Sequence, residues 1–243
     1  MVKMTVVGAG SWGSAFSYYL GRLGFPTKLW VREEDVYAGL VQTRENRIFL
    51  PGFVFPLTVS FHRSLAEAVE GADVIYIAVP SQYCRLIYGR LAEHLADGQA
   101  LVSLTKGLEQ KSLKRMTEVM EEVFQIDEKN RIAVLSGPSF AREVAAGQPT
   151  ALVLASHDLN LAREIQETIS SLQVRLYTSS DVIGVELGGA VKNVIAIAAG
   201  ISEGLGYGHN SQASLITRGL VEITRLGLAL GAKRETFSGL AGL

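Results

Sequence analysis

The hexapeptide Gly8-Ala9-Gly10-Ser11-Trp12-Gly13 constrains this chain more than any other stretch, because of what flanks it. Before it, Met4–Val7 reads as a short buried strand; after it, Ser14–Leu23 reads as a helix, stopped by Gly24 and Pro26. A second strand, Thr27–Val31, follows. Three glycines at this spacing, between a strand and a helix, make a turn that can cradle a pyrophosphate. The first permits the sharp turn, the second lets phosphates reach the backbone, and the third lets helix pack on strand. The helix N-terminus then faces the negative charge. Gly8, Gly10 and Gly13 fill those three places. A glycine-rich turn without a ligand is the plainer alternative.

The rest of the chain repeats the alternation. Leu57–Phe61 is a weak strand, and Ser64 caps a short helix to Gly71. Asp73–Val79, Ala100–Leu104 and Ile132–Leu135 are near-continuous apolar runs, the mark of strands buried on both faces. Between them, Ser81 can cap a helix to about Leu95, and Ser112 starts another to about Phe124. Ala151–Ala155 is a further strand, Asp158 caps a helix to about Leu172, and Val174–Tyr177 is an edge strand. Strands alternating with helices predict an α/β fold: a Rossmann-like, doubly wound, mainly parallel sheet. In such sheets ligands bind beyond the carboxyl ends of the strands, where Gly10, Arg32, Pro80-Ser81, Lys106 and Gly137–Ser139 all fall.

Past Ser180 the strand patterns stop. Residues 1–180 form the expected dinucleotide-binding domain, and 181–243 the first helices of an all-α substrate domain. Leu187–Ile201 is apolar or glycine except for Lys192 and Asn193, and it reads as a helix buried on most faces. Glu186, Lys192, Asn193 and the glycines interrupt it too often for a membrane span of ~20 mainly apolar residues. A further helix, Gln212–Leu230, is capped by Asn210 or Ser211.

A lysine inside such a helix carries a desolvation cost unless something pairs with it; the bland alternative is an ammonium snorkelling to water. Beside a dinucleotide site it suggests hydride transfer to a carbonyl, with Lys192 exchanging the proton. A second cation nearby would lower its pKa, and Lys106 is the candidate; it could equally hold a substrate anion, or simply be solvated. Asn193 either orients the substrate or satisfies helix backbone. Arg32, just past the second strand, favours NADP by accommodating a 2′-phosphate, while Glu33 beside it keeps NAD open.

A net charge of −1 gives no general pull towards nucleic acid. The single Cys84 and the lack of a signal-peptide pattern make the cytoplasm the default. His62, His94, His157 and His209 are scattered without ligand spacing, so no metal site is predicted.

Several segments resemble one family, the NAD(P)-dependent glycerol-3-phosphate dehydrogenases of bacterial type. They are GAGSWG (8–13), SLTKGLE (103–109), SGPSFAREVAAGQPTA (136–151), GVELGGAVKNVIAIAAG (184–200), Asn210–Gly219 and the terminal GLAGL. The resemblance spans essentially the whole chain. It implies interconversion of dihydroxyacetone phosphate and sn-glycerol 3-phosphate, feeding glycerophospholipid synthesis. It makes Lys192 the proton acceptor and Lys106 a residue touching both substrate and cofactor. Gly137 and Ser139 become substrate contacts, and Ser11, Trp12, Arg32, Phe49, Lys106 and Ala141 cofactor contacts.

In that family GLAGL leads on into an Asp-containing loop and an Arg-Asn pair that grips the substrate phosphate. Neither follows here, so the expectation is a C-terminally truncated chain that binds cofactor better than substrate. Its uncovered apolar helices would favour self-association, a homodimer included. Two other readings stay open: a β-hydroxyacid dehydrogenase of the 6-phosphogluconate type, and a nucleotide-binding module without turnover.

Overall fold

The computed structural model describes residues 1–125 and 131–242; Leu243, the last residue of the GLAGL match, lies outside them. Strand β1 (Met4–Val7) leads through the glycine turn into α1 (Ser11–Arg22), then β2 (Thr27–Trp30), α2 (Glu34–Thr43), β3 (Val59–His62) and α3 (Leu65–Val69). The alternation continues through β4 (Val74–Ile77), α4 (Ser81–Ala92), β5 (Ala100–Ser103), α5 (Met116–Phe124), β6 (Ile132–Ser136) and α6 (Ala141–Ala145). Then come β7 (Thr150–Ala155), α7 (Leu159–Ile169), β8 (Val174–Ser179) and three helices, α8 (Val182–Gly204), α9 (His209–Ala229) and α10 (Arg234–Phe237).

Among the described residues, eight strands form one sheet in the order β3-β2-β1-β4-β5-β6-β7-β8, with every pairing parallel except β6 against β7. The order reverses between β1 and β4, which is where a doubly wound sheet opens its ligand crevice. Side chains alternate between faces, as a strand's period of two requires. Val74 and Tyr76 pack with Phe16 and Leu20 on one face, while Ile75 and Ile77 pack with Ile87 and Leu91 on the other. With both faces covered, truncating a fully buried ring such as Phe16 would cost about 3–5 kcal/mol.

Several helix starts differ from the sequence expectations. α1 begins at Ser11, three residues before the predicted start, with Gly10 as N-cap and no side-chain cap bond. Ser81 is the first helical residue of α4 rather than its cap, which is Pro80. α5 starts at Met116, not Ser112, because residues 109–114 form a turn closed by Leu113 N donating to Glu109 O. α9 starts at His209 from the backbone of Gly208, so neither Asn210 nor Ser211 caps it. Ser64 and Asp158 do cap their helices, accepting from Glu67 N and Asn160 N.

The helix carrying Lys192 departs furthest. Val182 and Gly184–Gly189 are buried, but Val194, Ile197 and Ile201 are 66%, 64% and 58% exposed. Its first half docks on β6 and β7 through Val182 and Val185, while Val191 and Ile195 pack with Ile223 of α9 and an apolar face stays uncovered. By length and composition α8 also passes as a membrane span, yet that docked first half makes it part of the fold.

Candidate active site

The glycine turn is built by close approach. Gly8, at φ +112°, sits so near β4 that a β-carbon on it would stand 2.6 Å from the Ala78 carbonyl oxygen. A β-carbon on Gly13 would fall 1.9 Å from the Gly8 oxygen, so turn and helix are in backbone contact. Gly10 is the opposite case: nothing lies within 4 Å of the added atom, and the space in front of the α1 N-terminus is open. That open cradle, facing uncapped helix N–H groups, fits a dinucleotide's pyrophosphate.

A cleft of about 280 Å3 runs from this cradle along the carboxyl ends of the strands. It joins Gly10, Ser11 and Trp12 to Val79 and Pro80 after β4, to Thr105 and Lys106 after β5, and to Ser139 after β6. A larger cavity of about 500 Å3, at the amino ends between Asp73, Gln99 and Arg131, holds none of the predicted site residues.

Other predicted residues stand beside the cleft. Ala141, the first residue of α6, packs with Trp12 against Ala15 and Leu50. Arg32 lies past the end of β2 with its side chain 59% exposed; its guanidinium pairs with Glu33 at 3.5 Å and sits 5.5 Å from the centre of the Tyr83 ring. Phe49 is half exposed on a loop whose anchor, Asn46, was not among the sequence candidates. The Asn46 amide donates to Ala9 O at 2.9 Å and to Ser14 Oγ at 2.8 Å, and its Oδ1 accepts from Phe49 N. A buried asparagine thus ties the Phe49 loop to the glycine turn.

Lys106 is held at the centre. Its Nζ donates to Gly137 O at 3.0 Å and to Ser139 Oγ at 2.7 Å, which brings three predicted residues into one cluster. Gly137 reaches this geometry at φ +128°. Burial, and then the neighbouring Lys192 ammonium, bring the Lys106 amine down from 10.5 to about 8. Burial lowers the Lys192 amine as well.

α8 delivers Lys192 to this cluster because a glycine precedes it by one turn. A β-carbon on Gly189 would lie 2.5 Å from Ser136 Oγ and 3.6 Å from Lys106 Cγ, so only glycine lets the helix come this close. Lys192 is half-buried, whereas Asn193 is exposed. Sequence reasoning missed Ser136, whose buried hydroxyl has no hydrogen-bond partner among the described residues. It also missed a role for Glu186, although a charge inside an apolar helix is the same anomaly that singles out Lys192.

The arrangement offers an anion cradle, an apolar crevice and two amines with lowered proton affinity at one rim, which suits hydride chemistry at a carbonyl. Comparison with known proteins agrees. Family models for the N-terminus and the C-terminus of NAD-dependent glycerol-3-phosphate dehydrogenase match residues 3–162 and 181–243. The glycerol-3-phosphate dehydrogenase (NAD(P)+) of Koribacter versatilis is 49% identical over 244 residues, covering 100% of this chain and 72% of that protein. That of Syntrophotalea carbinolica is 47% identical, covering 100% of this chain and 73% of its own length. The crystal structure of the Coxiella burnetii glycerol-3-phosphate dehydrogenase superposes with a TM-score of 0.93 at 39% identity, over 99% of this chain and 73% of that one. The Saccharomyces cerevisiae enzyme superposes with a TM-score of 0.85 at 26% identity, over 99% and 74%. The chain belongs to the NAD-dependent glycerol-3-phosphate dehydrogenase family.

Proposed function

We propose that this chain interconverts dihydroxyacetone phosphate and sn-glycerol 3-phosphate, supplying the glycerol phosphate from which glycerophospholipids are built. The observation that carries the reading is Lys106, held by Gly137 and Ser139 in the cleft that reaches Gly10, with α8 packed against it at Gly189 one turn before Lys192. The dinucleotide, NADH or NADPH, supplies the hydride. The protein's own residues do the rest.

Gly8, Gly10 and Gly13 shape the cradle, and Ser11 and Trp12 border the crevice next to it. The Asn46-anchored loop brings Phe49 near the same edge, and Ala141 backs Trp12. Lys106 is fixed by two acceptors, Gly137 O and Ser139 Oγ. An ammonium has three N–H groups, so one remains to hold the substrate's oxygen as negative charge develops on it. Gly137 and Ser139 thereby adjoin the substrate. Lys192, partly desolvated, gives its proton to that oxygen in reduction and takes it back in oxidation; positioned proton transfer of this kind is worth about 10²–10⁴-fold in rate. Asn193, next to it and exposed, is assigned to substrate orientation.

Arg32 follows the end of β2, and its exposed guanidinium supports NADP as the cofactor. The buried free thiol of Cys84 supports a reducing, cytoplasmic setting. The uncovered face of α8 around Val194 and Ile197 supports association with a second copy.

The reading is tested by NADPH oxidation with dihydroxyacetone phosphate and, separately, with 3-oxo acids. Loss of absorbance with the first alone is expected. Turnover of 3-oxo acids instead would favour the β-hydroxyacid type, and cofactor binding without turnover of either would leave a binding module.

A further inference from the structure

One carboxylate ties together the two elements that carry the amines. Glu186, on the second turn of α8, is 6% exposed. Its Oε2 accepts from Arg115 Nη1 at 2.8 Å and from Thr117 Oγ1 at 2.6 Å, while its Oε1 accepts from Thr117 N at 2.9 Å. Arg115 and Thr117 stand at the start of α5, where the segment that carries Lys106 out of β5 comes to an end. That segment is therefore fixed by the sheet at one end and by Glu186 at the other.

Glu186, Gly189 and Lys192 follow one another at about one turn's spacing. The first grips α5, the second rests on Ser136 and Lys106, and the third lies close enough to Lys106 for their charges to repel. An apolar side chain in place of Glu186 could pack as well but would supply no directed hydrogen bonds to fix the helix against α5. A charge-assisted site with three donors has a single best position. Buried ion pairs are poor sources of stability, and fixing a register is their best-attested use.

We propose that Glu186 is a positioning residue that sets the spacing of Lys106 and Lys192 by clamping α8 to the β5–α5 segment through Arg115 and Thr117. It touches neither substrate nor cofactor. The inference rests on the reading that the two lysines carry the reaction, and its test separates the two.

Among the described residues, the groups facing Lys106 are Lys192 from α8, the Ser139 hydroxyl and the Gly137 carbonyl. Those facing Glu186 are Arg115, which also pairs with Glu118, and the Tyr88 phenol from α4. Loosening the clamp therefore takes Lys192 away from Lys106 and admits water, and both changes restore the proton affinity of Lys106.

The experiment follows the rate of acylation of Lys106 against pH by peptide mass spectrometry, in the cofactor-free protein, so that it needs no turnover. The wild type should titrate near 8. Three variants are compared: Glu186→Gln, Thr117→Val, and the double Arg115→Met/Glu186→Met. The double replaces both charges by apolar groups of similar size and so keeps the fold. In the double the midpoint should rise by about one pH unit or more, and kcat should fall about tenfold with NADPH Kd unchanged. Thr117→Val, losing one donor of three, should shift it less. A midpoint still near 8 in the double, or an unmoved midpoint in Thr117→Val should the others not fold, overturns the clamp. Activity surviving in Lys192→Ala overturns the catalytic reading instead, and leaves the midpoint shift standing.

Discussion

Gly189 of α8 lies against Ser136 at the end of β6 so closely that a β-carbon on the glycine would stand 2.5 Å from the serine hydroxyl but 3.7 Å from the serine Cβ. The contact seats the Lys192 helix on the sheet beside Lys106, and the two distances make it testable by compensation. Gly189→Ala should force α8 outward, costing about 1–3 kcal/mol as overpacking does, and should lower kcat. Adding Ser136→Ala removes the clashing oxygen and leaves an ordinary van der Waals contact, so the double variant should recover most of the melting temperature and rate. A double variant as poor as Gly189→Ala alone would show that this contact does not seat the helix.

The glycine turn makes a paired prediction. Gly13→Ala puts a methyl into the Gly8 carbonyl and should leave little folded protein. Gly10→Ala meets nothing within 4 Å and occurs at φ −68°, which any residue adopts. It should melt within a few degrees of wild type while NADPH Kd rises at least about tenfold, because the methyl occupies the pyrophosphate's path. Thermal melts and fluorescence titration check both.

These contrasts explain how much the sequence reveals. The strands are legible because burial on both faces leaves unbroken apolar runs, as at Val74–Ile77. Sequence spacing also finds the carboxyl-end rim that gathers Gly10, Lys106 and Ser139. Helix starts are read poorly where no side chain caps them: Gly10, Pro80 and Gly208 are N-caps without a side-chain bond. At the rim those free N–H groups face the cleft, so the chemistry that suits a ligand also erases the sequence signal. α2 and α6 go unseen for a similar reason, since Glu33 and Phe140 precede them without a cap bond. The burial of α8 is overestimated because hydrophobicity reports what a helix can cover, not what is there to cover it; Val194 and Ile197 are apolar yet exposed. The roles of Asn46 and Glu186 depend on partners distant in sequence, Ala9 and Thr117, which no local pattern reveals.

Arg32 tests cofactor preference. Its guanidinium is exposed and only loosely paired with Glu33 at 3.5 Å, so it is available to a 2′-phosphate. Arg32→Asp should weaken NADPH by about 1.5–3 kcal/mol, the worth of a hydrogen bond to a charged group, and leave NADH nearly unchanged. Equal losses for both cofactors, measured by titration, would remove Arg32 from phosphate recognition.

Lys106 links stability to pH. Its amine titrates near 8 in the folded protein against 10.5 ordinarily. Between those values the unfolded chain holds a proton that the folded one has released, so this group makes stability rise with pH, and below 8 its charge opposes folding. Lys106→Met removes that term. The difference in unfolding free energy, variant minus wild type, should therefore be most favourable near pH 7 and decline as pH climbs from about 8 towards 10.5. A flat or rising difference would mean that the Lys106 charge is not disfavoured by its site.

The central claim is that Lys192 exchanges the substrate's proton at the mouth of the sheet. Its most direct test is single-turnover reduction of dihydroxyacetone phosphate by Lys192→Ala with NADPH bound, read beside the NADPH Kd. A loss of about 10²–10⁴-fold in the chemical rate with cofactor affinity kept is the predicted result; a rate within about twofold of wild type would contradict it.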